Sequence, residues 1–121
     1  MTFRMRKLVV IALILLCPAL AVAAGAFLAE IEDVPLAPGL TEPAGSGIVF
    51  DSPSGRIVEA TAAGEVSADK IRTFYTETLP QLGWEAVGDL QYRRDNETLK
   101  IALTQKGKAL TVRFTLTPNN R

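Results

Sequence analysis

The stretch FYTETLPQLGW, residues 74–84, decides how this chain folds, because it ends the one amphipathic helix of the sequence. Upstream of it, Ser67 is a suitable N-cap residue, and Asp69 lies in the first turn, where the helix dipole favours an anion. Apolar residues then recur at spacings of three and four, the pattern of a helix with one buried face: Ile71, Phe74, Tyr75, Leu79 and Leu82.

Two residues inside this stretch predict where the helix ends. Pro80 lacks a backbone N–H and disfavours helical geometry at Leu79, so the helix should end near Leu79. Gly83 can adopt the left-handed conformation that reverses the chain, and an apolar residue after such a glycine packs back onto the helix end. The cluster around Trp84 could instead be a ligand-binding aromatic patch. The spacing favours a structural role in the core.

Strand signals lie on both sides of this helix. The segments GIVF, residues 47–50, and RIVEATA, residues 56–62, flank the turn sequence DSPSG, which predicts a hairpin. Beyond the helix, strands are predicted within residues 84–94, 97–104 and 109–117, with turns at 95–96 and 105–108. The last strand alternates apolar and polar residues strictly, which indicates one buried and one solvated face.

The element order is therefore β-β-α-β-β-β, and the predicted fold class is α+β. An antiparallel sheet of about five strands would carry the helix on one face, in a single domain of residues 47–118 followed by a polar tail, residues 119–121. The predicted core comprises Ile48 or Phe50, Ile57, Ile71, Phe74, Leu79, Trp84, Leu99, Ile101, Leu103, Leu110, Val112, Phe114 and Leu116.

The N-terminus, residues 1–23, has the three parts of a secretory signal peptide. Three basic residues precede the apolar run LVVIALILLC, and small residues with A-x-A spacing follow at Ala19–Ala23. The alternative is an uncleaved membrane anchor, because residues 8–28 are nearly long enough and apolar enough to span a bilayer. Both interpretations place the domain outside the cytoplasm, either periplasmic or anchored to the inner membrane.

Residues 24–46 form a Pro/Gly-rich lead-in between this N-terminal segment and the domain. Its prolines and glycines exclude a regular helix, and its residues do not alternate as in a strand. We expect an extended segment that spaces the domain from the membrane. Val34, Leu36 and Leu40 would allow it to dock on the domain, and a disordered linker is the other possibility.

Composition excludes several classes of function. The chain has no histidine, and its one cysteine, Cys17, lies in the export segment. The domain therefore lacks the residues for disulfides, thiolate metal sites and histidine-dependent catalysis, and we expect no metal and no cofactor. Three of the thirteen basic residues precede residue 8, whereas all thirteen acidic residues follow residue 29. The resulting negative charge argues against a nucleic-acid partner.

Three stretches together resemble a group of small exported bacterial proteins of unknown function. They are DVPLAPGLTE, FDSPSGRI and FYTETLPQLGW, beginning at residues 33, 50 and 74. The resemblance covers most of the exported part and is a matter of pattern rather than of a catalytic motif. It implies a similar single α+β domain and export, and it implies no activity.

The sequence offers one candidate binding surface and no catalytic residue. Tyr92, Arg93, Arg94 and Arg113 could form a basic patch on the sheet for an anionic ligand, although a solvated sheet face is the simpler explanation. We expect a non-catalytic binding or accessory domain of the cell envelope, with an envelope protein or a small ligand as partner. The membrane would be contacted only through an uncleaved N-terminus. The alternative is a carboxylate-dependent hydrolase acting on envelope glycans, since such a reaction needs only two acids.

The predicted signal peptide gives the first testable prediction. If residues 1–23 are a cleaved signal peptide, the protein isolated from its native host begins at Val22 or Ala24. Intact-mass measurement of the soluble envelope fraction checks this. A full-length chain recovered from the membrane fraction would show that the N-terminus is an anchor.

Overall fold

Six strands and one α-helix make up the fold in a computed structural model, which describes residues 26–119. The predicted export segment, residues 1–23, lies outside the described residues, as do residues 120–121 of the tail. The helix, α1, is Ala68–Thr78 and continues into a 3₁₀ turn at Leu79–Leu82. The strands are β1 (Ile48–Ser52), β2 (Gly55–Gly64), β3 (Glu85–Gly88), β4 (Gln91–Arg94), β5 (Glu97–Lys106) and β6 (Ala109–Pro118).

The strands form one antiparallel sheet with the order β1-β2-β6-β5-β4-β3. The helix packs on one face of this sheet, here called the inner face. The ring of Tyr75 on α1 lies 5.5 Å from that of Phe114 on β6, edge to face. The predicted α+β class with an antiparallel sheet is confirmed.

The sheet has one strand more than predicted, because residues 84–94 form two strands instead of one. The chain reverses at Leu90, which has a φ of 53° and so lies in the left-handed region. Its side chain is buried, and contacts in the core hold it in a conformation that leucine rarely adopts. The ladder between β3 and β4 also shifts register between Ala86 and Gly88. Leu90 is neither glycine nor proline, so its own residue type does not predict the turn.

The two ends of α1 lie where the sequence predicts them. The hydroxyl group of Ser67 accepts a hydrogen bond from the backbone N–H of Lys70, at 3.1 Å. At the other end Gly83 has a φ of 94°, and the N–H of Trp84 donates to the carbonyl of Leu79 at 3.1 Å. Trp84 is 3% exposed. The stretch from Phe74 to Trp84 is a helix end that packs into the core, as predicted.

The predicted core is correct for the helix and the last two strands but not for the first hairpin. Ile48 and Phe50 are exposed, and Ile57 is only half-buried. Phe50 pairs with Ile57 and Ile48 with Glu59, so these side chains share the outer face of the sheet, the face opposite α1. The buried residues of β2 alternate with Ile57 and Glu59 and project to the inner face. They are Val58, Ala60 and Ala62.

The lead-in is packed into the domain. Its apolar side chains are buried in the same core cluster as the sheet and the helix: Leu28, Ile31, Val34, Ala37 and Leu40. The backbones of Thr41 and Ala63 form an antiparallel bridge, which attaches the end of the lead-in beside β2. A Cβ atom at Gly64 would come within 2.0 Å of the carbonyl oxygen of Gly39, so this approach requires glycine. The sequence leaves open whether the lead-in docks on the domain or is a disordered linker, and the structure shows it docked.

The hydroxyl group of Tyr75 joins this docked segment to the helix. It donates a hydrogen bond to the carbonyl of Pro35 at 2.7 Å and accepts one from the N–H of Ala37 at 3.1 Å. Tyr75 is fully buried, and so are these two bonds. The helix and the lead-in are therefore held together by a polar contact inside an apolar core.

We predict that Tyr75→Phe destabilises the domain. The substitution leaves the buried N–H of Ala37 and the carbonyl of Pro35 without their partner, which costs about 1–3 kcal/mol. Denaturant unfolding measures the change. The control is Tyr92→Phe, at the other buried tyrosine, whose hydroxyl makes no hydrogen bond to the lead-in among residues 26–119. Equal losses in the two variants would contradict the role of Tyr75.

The Tyr75→Phe variant also has an alkaline signature. Burial raises the pKa of the Tyr75 hydroxyl well above its ordinary value of 10.0. Above that ordinary value the unfolded chain loses this proton and the folded chain keeps it. The free energy of unfolding therefore falls as the pH rises. Denaturant unfolding at increasing alkaline pH should show a shallower loss of stability for Tyr75→Phe than for the wild type.

Candidate functional site

The four residues predicted as a basic binding patch do not come together. Tyr92 was expected on the surface, but it is 3% exposed and stands opposite Leu99 on the inner face of the sheet. Its neighbours in the strand, Arg93 and Gln91, project to the outer face, because successive side chains alternate. The prediction that Tyr92 lies on the surface is therefore wrong, because β4 directs this side chain into the core.

Arg93 and Arg113 share the outer face but lie far apart on it. Arg93 stands opposite Thr98, which in turn stands opposite Thr117 on β6. Arg113 is four residues further along β6, which corresponds to about 13 Å along the strand. Arg93 also faces Glu85 on β3. These two guanidinium groups therefore do not converge on one anion.

Arg94, the fourth residue, is a structural clamp. Its guanidinium group forms an ion pair with Asp33 of the lead-in and donates a hydrogen bond to the carbonyl of Leu82 at 3.1 Å. The same group lies 4.5 Å from the centre of the Trp84 ring, a cation–π contact. Arg94 thereby joins the lead-in, the end of the helix and β4. These contacts occupy the side chain within the fold.

A cavity of about 220 Å³ lies beside this clamp. Acidic and basic side chains line it together with Trp84: Glu30, Glu32, Asp33, Glu97, Arg56 and Arg94. The buried indole N–H of Trp84 has no hydrogen-bond partner among residues 26–119. Ligand pockets usually hold about 300–1,000 Å³ and have mostly apolar walls, so this small polar cavity lacks their usual character. Within the same residues, no three acidic side chains are grouped closely enough to hold a metal ion.

Three consecutive apolar residues are exposed on β1, one of the two edge strands of the sheet. Ile48, Val49 and Phe50 are 52%, 42% and 48% exposed, and they follow one another on β1. We call these three residues the β1 edge. Since β1 pairs only with β2, the backbone groups on its other side are not paired within the described sheet. The β1 edge therefore offers free backbone hydrogen-bonding groups together with apolar side chains on both faces.

The edge strand at the opposite side of the sheet, β3, differs from β1, and the comparison indicates that the β1 edge is the better candidate for binding. Natural proteins block edge strands with charges, bulges, prolines or short length, because an open edge recruits other strands. The other edge strand, β3, has four residues, begins with Glu85 and carries an irregular register between Ala86 and Gly88. Between Ile48 and Phe50 the β1 edge has no charge, proline or bulge, although β1 has only five residues and continues into Asp51. The β1 edge is therefore the less protected of the two.

Sequence reasoning missed this surface because it depends on strand order. The segment GIVF predicts a strand, but its short apolar run fits a buried strand as well as an exposed edge. Ile48 and Phe50 are exposed because they project to the outer face, and β1 is outermost because β6 pairs with the other side of β2. The signal that could have found it is the alanine-rich face of β2, which assigns Val58, Ala60 and Ala62 to the core and Ile57 to the other face.

Comparisons of the chain with protein-family models, with curated proteins and with solved structures found no match. The resemblance of its three stretches to small exported bacterial proteins therefore stays a prediction. Among the described residues, no helix is both long and apolar enough to cross a membrane.

The clamp at Arg94 leads to a matched pair of substitutions. Arg94→Met keeps the apolar stem but removes the ion pair, the bond to Leu82 and the cation–π contact, which together should cost about 1–2 kcal/mol. Arg93→Met removes the neighbouring charge from the exposed outer face and should change stability by less than about 0.5 kcal/mol. Denaturant midpoints of the two variants test this. Equal midpoints would show that Arg94 is not a clamp.

Proposed function

We propose that this protein is a small, exported, non-catalytic binding domain of the cell envelope, and that its partner pairs with the β1 edge. One observation carries the proposal, namely three consecutive exposed apolar residues on an edge strand, with no charge, proline or bulge among the three. The export part rests on the sequence of residues 1–23, with its basic start, apolar run and A-x-A sites.

Strand addition is the binding mode that such an edge supports. An extended segment laid against β1 would make backbone hydrogen bonds along the strand, which provide affinity with little dependence on sequence. Selectivity would come from the side chains. Ile48 and Phe50 offer apolar area on the outer face, and Val49 offers it on the inner face, where it stands beside Val58. A partner segment with apolar residues at successive positions would match both faces.

The remaining surfaces support binding less well. The outer face beyond β1 carries threonines and isolated charges, and the structure separates Arg93 from Arg113. The cavity beside Trp84 is small, and the ion pair of Arg94 with Asp33 fills part of its polar wall. The β1 edge is the one place in the described chain where three consecutive exposed apolar residues lie on an edge strand.

A second candidate function, a carboxylate-dependent hydrolase acting on envelope glycans, is favoured by a different observation. Glu30, Glu32, Asp33 and Glu97 line one cavity, and a glycosidase needs two acids across a cleft. Release of soluble sugar from purified envelope glycan by the wild-type protein, lost in both Glu30→Gln and Glu97→Gln, would establish this function. Absence of any release by the wild type would remove it.

Site-specific photo-crosslinking in the native host tests the binding function. A photoreactive phenylalanine analogue at position 50 should give a crosslinked adduct in the envelope. The same analogue at position 102, an exposed residue on the outer face of the central strand β5, should give none. Adducts at position 102 alone, or at neither position, would contradict the proposal. Circular dichroism of both variants confirms that each is folded.

A further inference from the structure

We infer that the segment which pairs with the β1 edge is the β1 strand of a second copy of this chain, arranged antiparallel about a two-fold axis at Val49. This inference rests on the proposed binding role of the β1 edge and names the partner. It follows from which residues would oppose each other, and it requires no contact beyond those that the strand itself can make.

The two faces of the sheet restrict how two copies of β1 can pair. Directly opposed residues in an antiparallel ladder lie on the same face of the sheet. Ile48 and Phe50 project to the outer face and Val49 to the inner face, as their pairing with β2 shows. A two-fold pairing must therefore be centred on a residue, because any register centred between two residues would oppose an outer residue to an inner one.

Side-chain chemistry then selects one centre. Centred on Val49, the pairing opposes Ile48 to Phe50 of the second copy and Val49 to its own equivalent, so apolar residues meet apolar residues. Centred on Phe50, it would oppose Val49 to Asp51 and Ile48 to Ser52. Cross-strand pairs of apolar residues stabilise a sheet, whereas apolar residues opposite charged ones do not. Val49 is the centre at which all three residues of the β1 edge find apolar partners.

This register keeps the two Asp51 carboxylates apart, because each would stand opposite Gly47 of the second copy. The Glu30 side chain packs against Gly47 in its own chain, so the pairing brings Asp51 near the Glu30 side chain of the other copy. Asp51 also has Arg56 as its cross-strand neighbour in its own hairpin. On the outer face, Ile57 lies beside Phe50, and the two copies would bring both residues of each chain into one apolar strip.

The pairing closes on itself. A two-fold contact uses the open edge of each copy, and the two six-stranded sheets join into one of twelve strands. The remaining edges are the two β3 strands, where the irregular register and Glu85 oppose further addition. The assembly is thus a dimer and not a fibre. Its contact is five residues long on each side, so we expect a dissociation constant on the order of micromolar, as for small interfaces.

Cysteine crosslinking tests the register directly in the full-length chain carrying Cys17→Ser. Opposed residues have Cα atoms about 4.5–5.5 Å apart, which a disulfide can bridge. Val49→Cys should oxidise to a dimer, and Ala102→Cys, on the exposed outer face of β5, should not. A mixture of Ile48→Cys and Phe50→Cys proteins should crosslink more than either protein alone, because only the mixture opposes the two thiols.

Sedimentation provides a measurement that does not depend on the cysteines. The wild type should dimerise over the micromolar range, and the folded variant Phe50→Glu should be at least tenfold weaker, with Ala102→Glu as the matched control. Monomeric wild type at about 100 μM, or crosslinking of Val49→Cys no greater than that of Ala102→Cys, would overturn the inference. If the analogue at position 50 then captured a different protein, the binding function would stand and only self-pairing would fall. If it captured nothing, both would fall.

Discussion

The fold depends on one buried polar contact, the pair of hydrogen bonds that the Tyr75 hydroxyl makes with the backbone at Pro35 and Ala37. The lead-in satisfies some of its backbone groups by its own turns and a short bridge, for example from the N–H of Leu28 to the carbonyl of Val34, but buried backbone groups must all be satisfied. Tyr75 supplies a donor and an acceptor from the helix. The apolar residues of the lead-in can then be buried in the core instead of being left in water. The domain thereby gains core area that residues 47–118 alone would lack.

How much of this fold the sequence predicts depends on whether each feature is determined by residues that are near or distant in the sequence. The N-cap at Ser67 and the helix end at Pro80 and Gly83 are local, and the structure confirms them. The alternation of β6 is equally local, and its buried face is correct. Burial of the lead-in and of Tyr92 depends on neighbours distant in sequence. The apolar residues of the lead-in and the alternation around Tyr92 permit this burial but do not decide it. The reversal at Leu90 is hidden for the opposite reason, because the core enforces a conformation that the residue itself disfavours.

The candidate site shows the same division. Its residues, Ile48 to Phe50, are plainly a strand in the sequence, and their apolar character suggests the core. Only the position of β6 between β2 and β5 places them at an edge. The predicted arginine patch around residue 93 shows the opposite error, because closeness in sequence did not mean a common surface. Neighbours in sequence suggested a common patch, but alternation along β4 divides them between two faces, and Arg94 is used by the fold itself.

The position of β6 in the sheet also bears on how the chain acquires its structure as it leaves the ribosome. This strand is the last in the described sequence, yet it lies between β2 and β5, and Val58 pairs with Leu116 across most of the domain's length. The two hairpins on either side can form early, but they cannot join until residues 109–118 have emerged. Such long-range pairing slows folding and leaves the chain open until its end is delivered. If the protein is exported as we propose, this late completion of the sheet would keep the chain open enough to pass through a narrow channel.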